Sequence, residues 1–155
     1  MTNFGKASRL YFDANPLIYA IEGDDSIAEP IAKLLDLLRG HPGVAVTSEL
    51  TLAEVLPKAV IPRRRSYLNL LIWSGIFDLR PVTRDILIET AEYRRKARAR
   101  DVALPKLPDS IHIVTAIQCQ CHTILSSDLR MTLPDGFSVV SPDRDNLARL
   151  IKELS

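Results

Sequence analysis

Short apolar runs recur along the chain and alternate with longer segments that have an amphipathic pattern. Each run is too short for a helix, and most are rich in β-branched or aromatic residues, which is typical of buried strands. These runs predict five strands, at residues 9–12, 44–46, 76–79, 123–125 and 137–140.

The longer segments repeat apolar residues at helical spacing. After a helix that begins at Pro16, they predict six more, at residues 26–39, 48–59, 63–75, 83–100, 108–121 and 141–154. Capping signals support several of these boundaries: Gly40 follows one helix, Thr83 precedes another, and Ser141 is a candidate cap with Pro142 at the first helical position. Strands that alternate with helices indicate a parallel sheet covered on both faces.

Composition is consistent with an ordinary soluble domain. The 155 residues are 46% hydrophobic and 25% charged, and the net charge of +1 gives no global attraction to nucleic acid or membrane. The first ten residues lack the apolar core of a secretory signal, and no apolar stretch approaches the roughly 20 residues that span a bilayer. Two closely spaced cysteines favour a reducing, cytoplasmic location.

Three of four candidate carboxylates lie next to predicted strand ends or helix starts, where such a fold would bind a ligand. Asp13 follows the first strand, Asp109 opens the most apolar helix, and Asp128 follows the fourth strand by two residues. Each also has an ordinary explanation, since Asp13 or Asn15 can cap a helix, Asp109 can complement a helix dipole and Asp128 can form a turn. Glu54 has no such explanation, because an unpaired charge among leucine, alanine and valine residues is costly.

The segments that carry these acids resemble the PIN-domain family of metal-dependent ribonucleases, and in particular its VapC-type toxin subunits. The family's four motifs are similar, in order, to "YFDANPLIYAIE", "TSELTLAEVL", "LPDSIHIVTAI" and "TILSSD". The resemblance spans residues 9 to about 141. A further acid that the family often has after its fourth motif lacks a convincing counterpart, because Asp135 precedes Gly136 and is typical of a turn.

The resemblance implies a single PIN-like domain over residues 1–155. Its expected fold has three α/β/α layers around a central, mostly parallel sheet of about five strands. The implied activity is hydrolysis of RNA phosphodiester bonds with Mg²⁺ or Mn²⁺ as cofactor, as the toxin of a toxin–antitoxin pair. Besides RNA, the expected partners are a small antitoxin and a second copy of the chain in a homodimer.

The same resemblance implies roles for particular side chains. The expected catalytic and metal-contacting residues are Asp13, Glu54, Asp109 and Asp128, with Glu54 positioning the attacking water or binding the metal through it. Asn15 and Ser126 are expected to donate hydrogen bonds that orient these carboxylates. Mg²⁺ and Mn²⁺ favour such oxygen ligands. Because four acids in one crevice repel each other, at least one should have a raised pKa in the metal-free protein.

Basic residues cluster near the end of the predicted helix at residues 83–100. RNA backbone contact is one interpretation of this cluster, whose members include Arg94, Arg95, Lys96 and Arg98. A solvated helix end that complements the helix dipole is another, and contact with acidic residues of an antitoxin is a third.

Three further features each have two interpretations. His112 lies one turn after Asp109 and either approaches the site or is a hydrogen-bonded core histidine. Cys119 and Cys121 match no standard zinc spacing and are expected to be buried thiols. The apolar helices at residues 26–39 and 63–75 could form either a contact surface or part of the core.

The main alternative to an enzyme is a non-catalytic RNA-binding or regulatory module on the same fold, because a fold does not establish an activity. Haloacid dehalogenase-type phosphotransfer would need a second acid in place of Asn15, and the glycine-rich nucleotide-binding motifs are absent. The retention of all four acids favours the enzyme.

Overall fold

The centre of the fold is a five-stranded sheet. The computed structural model describes residues 8–101 and 103–155. The strands are β1 (Leu10–Phe12), β2 (Ala45–Ser48), β3 (Phe77–Arg80), β4 (Thr123–Leu125) and β5 (Ser138–Val140). Their order is β3-β2-β1-β4-β5, and every pair of neighbours is parallel. All five predicted strands are confirmed, and the sheet is wholly parallel rather than mostly parallel.

Helices connect the strands and cover both faces of the sheet. They are α1 (Ala14–Glu22), α2 (Asp25–Arg39), α3 (Leu50–Val55), α4 (Ile61–Leu68), α5 (Arg84–Ala99), α6 (Leu107–Gln118) and α7 (Arg144–Leu154). A π-helical turn, Asn69–Trp73, continues α4. Across the described part of the chain, no helix has the length and apolar character needed to cross a bilayer.

Successive side chains of β1 are buried on opposite faces of the sheet. Leu10 and Phe12 belong to the larger core, which contains the apolar faces of α1, α2 and α7. Tyr11 lies in a second cluster on the other face, with Cys119 and Cys121 from the end of α6. Both cysteines are buried free thiols, as predicted. The two cores confirm the three-layer α/β/α arrangement.

The strand order places a crevice next to β1. The chain adds β2 and β3 on one side of β1 and then returns to add β4 and β5 on the other. Connections therefore diverge between β1 and β4, and ligands of open α/β sheets bind where this divergence occurs, beyond the carboxyl ends of the strands. The backbone N–H of Asp13 donates to the carbonyl of Leu125 at 3.3 Å, so the ends of these two strands are joined.

The predicted start of the last helix is wrong by two residues. Ser141 and Pro142 precede the helix, and α7 begins at Arg144. Asp143 is the cap, because its carboxylate accepts the backbone N–H of Asn146 at 2.9 Å. A charged acceptor closer to the helix outcompetes the serine and proline signal.

Two other predicted helices differ from the structure in extent. In the segment at residues 48–59, Pro57 is expected to interrupt or end the helix; the structure is helical over α3, which begins at Leu50 and ends before that proline. The segment at residues 63–75 begins earlier, at Ile61, and becomes π-helical in its second half. By contrast, the Thr83 cap of α5 is confirmed, since its hydroxyl accepts the backbone N–H of Ile86 at 3.2 Å.

The proposed contact surface on α2 and α4 divides into core and surface. The leucines of α2 are buried in the larger core. In the π-helical turn, Leu71 is buried, whereas Ile72 is 46% exposed and Trp73 is 64% exposed. At the start of α4, Ile61 is also 75% exposed. The large apolar side chains that this pair keeps at the surface therefore lie on α4 and its π-helical continuation.

Candidate active site

All four predicted acids line one cavity of about 660 Å³ at the carboxyl ends of β1, β2 and β4. We call it the acid cavity. Its lining is formed by Asp13, Asn15, Glu54, Lys106, Pro108, Asp109, Ser127, Asp128, Leu129 and Arg130. The acids are far apart in sequence and arrive from a strand end, a short helix, a helix start and a loop. The cavity coincides with the crevice that the strand order predicts.

Asp13 is the most deeply buried of the four acids, at 6% exposure. It caps α1 by accepting the backbone N–H of Asn15 at 3.1 Å, so the capping interpretation of this residue is confirmed, and the same carboxylate lines the acid cavity. Burial raises the pKa of Asp13 to about 6, and the charge of Asp109 adds to the increase. A hydrogen bond from the hydroxyl of Ser126 opposes that increase.

Asp109 and Asp128 differ in how strongly the protein stabilises their charge. Asp109 lies in the first turn of α6, and its pKa is raised by burial and then by the neighbouring charge of Asp128. Asp128 accepts the backbone N–H of Arg130 at 3.0 Å and its Nε–H at 3.3 Å, and these bonds lower its pKa. The prediction that at least one acid has a raised pKa is confirmed, although burial contributes more than repulsion.

The two residues predicted to orient the acids contact them by different means. The hydroxyl of Ser126 is buried between two of them: it donates to Asp13 and accepts the backbone N–H of Asp128 at 3.1 Å. Asn15 steadies Asp13 through its backbone amide rather than its side chain, which is exposed at the cavity wall. Most residue types at position 15 could donate the same backbone hydrogen bond to Asp13.

Buried hydroxyl groups hold the helix that carries Glu54 against the sheet. Thr47 at the end of β2 donates to the carbonyl of Phe12 at 2.8 Å and shares a hydrogen bond with Thr51 of α3 at 3.0 Å. Ser48 accepts the backbone N–H of Leu50 at 3.0 Å. These bonds stabilise a six-residue helix that would not form alone, and they fix it at the cavity wall.

Glu54 has a buried partner that links it to β1. His112 Nε2 lies 2.5 Å from Glu54 Oε1, and His112 Nδ1 lies 2.6 Å from the hydroxyl of Tyr11. His112 is therefore both a hydrogen-bonded core residue and a neighbour of the site. Sequence reasoning missed Tyr11, although the two-residue period of a strand places it on the same face as Asp13.

Sequence reasoning also missed two cations in the acid cavity, Lys106 and Arg130. Lys106 directly precedes α6, and Arg130 is paired with Asp128. Both affect the acids: their charges help to lower the pKa of Asp128, and that of Lys106 partly opposes the increase in the pKa of Asp109. Isolated basic residues in a loop carry no periodic signal, so the sequence pattern did not distinguish them from other surface charges.

The donor atoms of the cavity suit a hard divalent cation. The four acids offer only carboxylate oxygens, which Mg²⁺ and Mn²⁺ prefer, and burial leaves Asp13 and Asp109 short of compensating charge. Among the residues described, however, no three His, Cys, Asp or Glu side chains are grouped closely enough to hold one metal ion. The arrangement therefore fits a cation that takes one or two carboxylates and completes its coordination with water and phosphate, as Mg²⁺ commonly does.

The predicted basic cluster on α5 is divided between two faces of the helix. Arg94, Arg95 and Arg98 line a separate cavity of about 340 Å³, which we call the arginine cavity, whereas Lys96 lies on another side of α5. Arg95 is paired with Glu92 at 2.5 Å, and Arg94 donates to the carbonyl of Pro105 at 3.4 Å, between atoms Nη2 and O.

The arginine cavity adjoins the acid cavity. Leu104 and Leu107 line the first, and Lys106 and Pro108 line the second. A single short segment, residues 104–108, thus separates the two.

Comparison with protein families gives one match over nearly the whole chain. A family model described as PIN domain matches residues 10–149. No curated protein matches the chain significantly.

Several solved structures share the fold. A chain of VapBC2 from Rickettsia felis bound to a DNA fragment from their promoter matches with a TM-score of 0.63 and 17% identity, over 85% of this chain and 97% of that one. DNA-bound VapBC from Salmonella typhimurium matches with a TM-score of 0.64 and 14% identity, over 87% of this chain and 98% of that one. FitAB bound to an IR36 DNA fragment matches with a TM-score of 0.64 and 16% identity, over 86% of this chain and 94% of that one. At these identities the similarity establishes the fold.

Proposed function

This chain belongs to the PIN domain family, and from that premise we propose that it is a metal-dependent endoribonuclease and the toxin of a toxin–antitoxin pair. PIN domains are generally nucleases. The observation that carries the proposal is that the acids of four separate segments, Asp13, Glu54, Asp109 and Asp128, line one cavity at the divergence of the sheet. The fold shared with VapBC and FitAB complexes supports the toxin assignment.

In this proposal, Asp13, Asp109 and Asp128 would hold Mg²⁺ or Mn²⁺, directly or through water. A bound cation of this kind lowers the pKa of its water and stabilises charge on the scissile phosphate. Ser126 keeps two of these acids in place through its hydroxyl. Glu54, which lines the same cavity, would orient the attacking water.

The cations of the acid cavity are needed for the substrate to enter. A phosphodiester is anionic, and four carboxylates repel it unless positive charge is close by. Lys106 and Arg130 supply such charge at the cavity wall. We expect both side chains to contact the non-bridging oxygens of the bound phosphate. Arg130 would give up part of its contact with Asp128 to reach the substrate.

The RNA strand would continue from the acid cavity across residues 104–108 into the arginine cavity. Arg94 and Arg98 are the members of the predicted cluster best placed for this path, because both line the adjoining cavity. Arg95 is engaged by Glu92, and Lys96 lies on another side of α5. We therefore expect backbone contacts mainly from Arg94 and Arg98.

We also propose a small antitoxin as a partner, a homodimer, and a cytoplasmic location. The solved structures that share the fold are described as two-component complexes, which supports the antitoxin. Ile72 and Trp73 support an interface, because exposed large apolar side chains at one place mark interaction surfaces.

The proposal is tested by incubating the purified protein with total RNA and Mg²⁺ or Mn²⁺ and mapping the cut ends. Asp109→Asn should lose the cuts. Asp145→Asn is a matched control, because Asp145 also lies in the first turn of a helix, α7, but outside the acid cavity. Cuts that persist unchanged in Asp109→Asn would contradict the proposal.

A second function, an RNA-binding or regulatory module without catalysis, is favoured by the lack of three clustered metal ligands in the described structure. Thermal melting separates the two functions. A cation that binds the native state raises its stability by mass action, so the nuclease should melt at a higher temperature with Mn²⁺. A module with an inactive site should show no such shift.

A further inference from the structure

Three side chains form a hydrogen-bonded series from the interior of the fold to the acid cavity. Tyr11 on β1 is fully buried, His112 on α6 is 2% exposed, and the side chain of Glu54 on α3 is 27% exposed. The hydroxyl of Tyr11 contacts Nδ1 of His112 at 2.6 Å, and Nε2 contacts Oε1 of Glu54 at 2.5 Å. The series therefore joins three separate elements behind one wall of the cavity.

Chemistry fixes the direction of both hydrogen bonds. A carboxylate can only accept, so Nε2 of His112 carries the hydrogen that lies toward Glu54. The hydroxyl of Tyr11 donates to Nδ1, because no other acceptor among the described residues is hydrogen-bonded to it and a buried donor without an acceptor is costly. Tyr11 thus selects the tautomer of His112 that can donate to Glu54.

The series leaves one oxygen of Glu54 available. Oε1 is held by His112, whereas Oε2 accepts no hydrogen bond from any residue that the structure describes. Glu54 lines the acid cavity, and among the residues that the structure describes, His112 is the one hydrogen-bonded to its carboxylate. The imidazole is therefore what determines the direction in which the free oxygen points.

We propose that His112, oriented by Tyr11, is a positioning residue that holds Glu54 in the rotamer needed at the acid cavity. This inference rests on the proposed nuclease function and names residues that the family resemblance did not assign. His112 itself touches neither RNA nor metal in this scheme. A histidine that only satisfies a buried group would contribute to stability and leave the turnover of the folded enzyme unchanged.

The test uses Tyr11→Phe, His112→Leu, His112→Gln and the double variant Tyr11→Phe/His112→Leu. The substrate is a synthetic oligoribonucleotide that spans a cut site mapped with the wild-type protein. His112→Leu should lower kcat about 100-fold and Tyr11→Phe about 10-fold, which is the range for residues that orient metal-site ligands. KM should not change, because the interaction is not made with the ground-state substrate.

Two comparisons distinguish positioning from a structural role. His112→Gln should recover much of the kcat lost in His112→Leu, because the glutamine side-chain amide can donate from nearly the same place as Nε2. The double variant should be no slower than His112→Leu, because Tyr11 acts only through His112. Tyr93→Phe is the control: it removes a hydroxyl that donates to the carbonyl of Thr132 at 3.0 Å, outside the acid cavity, and should keep the wild-type kcat.

A second readout is the Mn²⁺ concentration that half-saturates the increase in melting temperature. It should rise about 10-fold in His112→Leu and return toward the wild-type value in His112→Gln. The inference is overturned if Tyr11→Phe keeps the wild-type kcat, or if His112→Gln is as slow as His112→Leu. It is also overturned if Tyr11→Phe slows His112→Leu further. A wild-type protein that neither cuts RNA nor responds to Mn²⁺ would overturn the proposed function, and this inference with it.

Discussion

The acid cavity and the arginine cavity bring their charges together in opposite ways. Asp13, Asp109 and the other acids come from four distant segments, and the fold forces them into one partly buried space. The arginines come from a single helix, and Arg95 and Arg98 are exposed whereas Arg94 is half-buried. All three lie near the carboxyl end of α5, where cations are favourable. The acid cavity therefore carries an electrostatic cost that the arginine cavity lacks.

That difference indicates where function resides. Buried like charges persist in a fold only when something compensates them, and raised pKa values at Asp13 and Asp109 show that the protein itself compensates them incompletely. An exposed arginine with a local partner, such as Arg95 beside Glu92, needs no further explanation. We therefore expect large effects from changes in the acid cavity and small, salt-dependent ones from changes in the arginine cavity.

The largest expected effect is the loss of cleavage in Asp13→Asn and Asp109→Asn. Removal of a ligand for a catalytic cation should cost several kcal/mol of transition-state stabilisation, or about 1000-fold in rate. Initial rates of cleavage of a mapped oligoribonucleotide measure it, and circular dichroism checks that both variants are folded. Full activity in both variants would show that the two cavities do not differ as described.

The second effect is on stability: in the metal-free protein, Asp13→Asn should stabilise the fold at neutral pH. The pKa of Asp13 is raised from 3.8 to about 6, so between these values the native state binds more protons than the unfolded state. The free energy of unfolding of the wild type therefore falls as pH rises through this window. Because a tenfold change in an acid's dissociation constant corresponds to about 1.36 kcal/mol, the ionised carboxylate costs at most about 3 kcal/mol above the folded pKa.

Urea unfolding with a chelator present, across this pH range, measures the difference between wild type and Asp13→Asn. The difference should be greatest above pH 6 and should vanish toward pH 4, about the unfolded value. Asparagine also caps helices, so the cap of α1 is retained. Asp24→Asn is the control, because Asp24 caps α2 but has a pKa lowered by its hydrogen bond to Ser26. Asp24→Asn should not raise the free energy of unfolding. Equal stabilisation in both variants would contradict burial of Asp13 as the cause of the gain in Asp13→Asn.

A smaller effect is expected in the arginine cavity. Arg98→Ala should weaken RNA binding and reduce the slope of log affinity against log salt by about 1, because one phosphate contact is lost. Lys96→Ala, on another side of α5, should leave both quantities unchanged. Filter binding in the Asp109→Asn background avoids cleavage. Equal effects of the two substitutions would show that RNA does not follow the arginine cavity.

The smallest effect is expected for Glu92→Gln. This substitution breaks the exposed ion pair with Arg95, and such pairs contribute little to stability because water and salt screen them. The melting temperature should not change measurably. RNA affinity should rise slightly at low salt, since Arg95 is released, and a fall in affinity would contradict that account.

The sequence pattern predicted the elements well because their signals are local. Apolar runs located all five strands, and the Thr83 cap located the start of α5. The errors arose where two local signals competed. At the start of α7 the carboxylate of Asp143 outcompeted Ser141 and Pro142, and in the residues after α4 the backbone became π-helical, for which periodicity gives no warning.

The candidate site could be predicted only in part. Its four acids were found because motif order and chemistry pointed to them, although their roles stay predictions. The contacts of Tyr11 and His112 were not found, because they join segments about a hundred positions apart and depend on how α6 packs on β1. The division of Arg95 and Lys96 between different sides of α5 was also invisible, since neighbours in sequence can project in different directions from a helix.

The order of strands in the sheet has a consequence for protein synthesis. β4 lies beside β1 in space but is made long after it, and Ser126 and Asp128 follow β4 in the chain. A ribosome adds residues one at a time over several seconds, and from the completion of β3 at Arg80 until Thr123 is added, the growing polypeptide has β1, β2 and β3 without the strand that closes the crevice. If the proposed toxin acts through this crevice, a nascent chain is harmless to the RNA that encodes it until translation has passed Asp128.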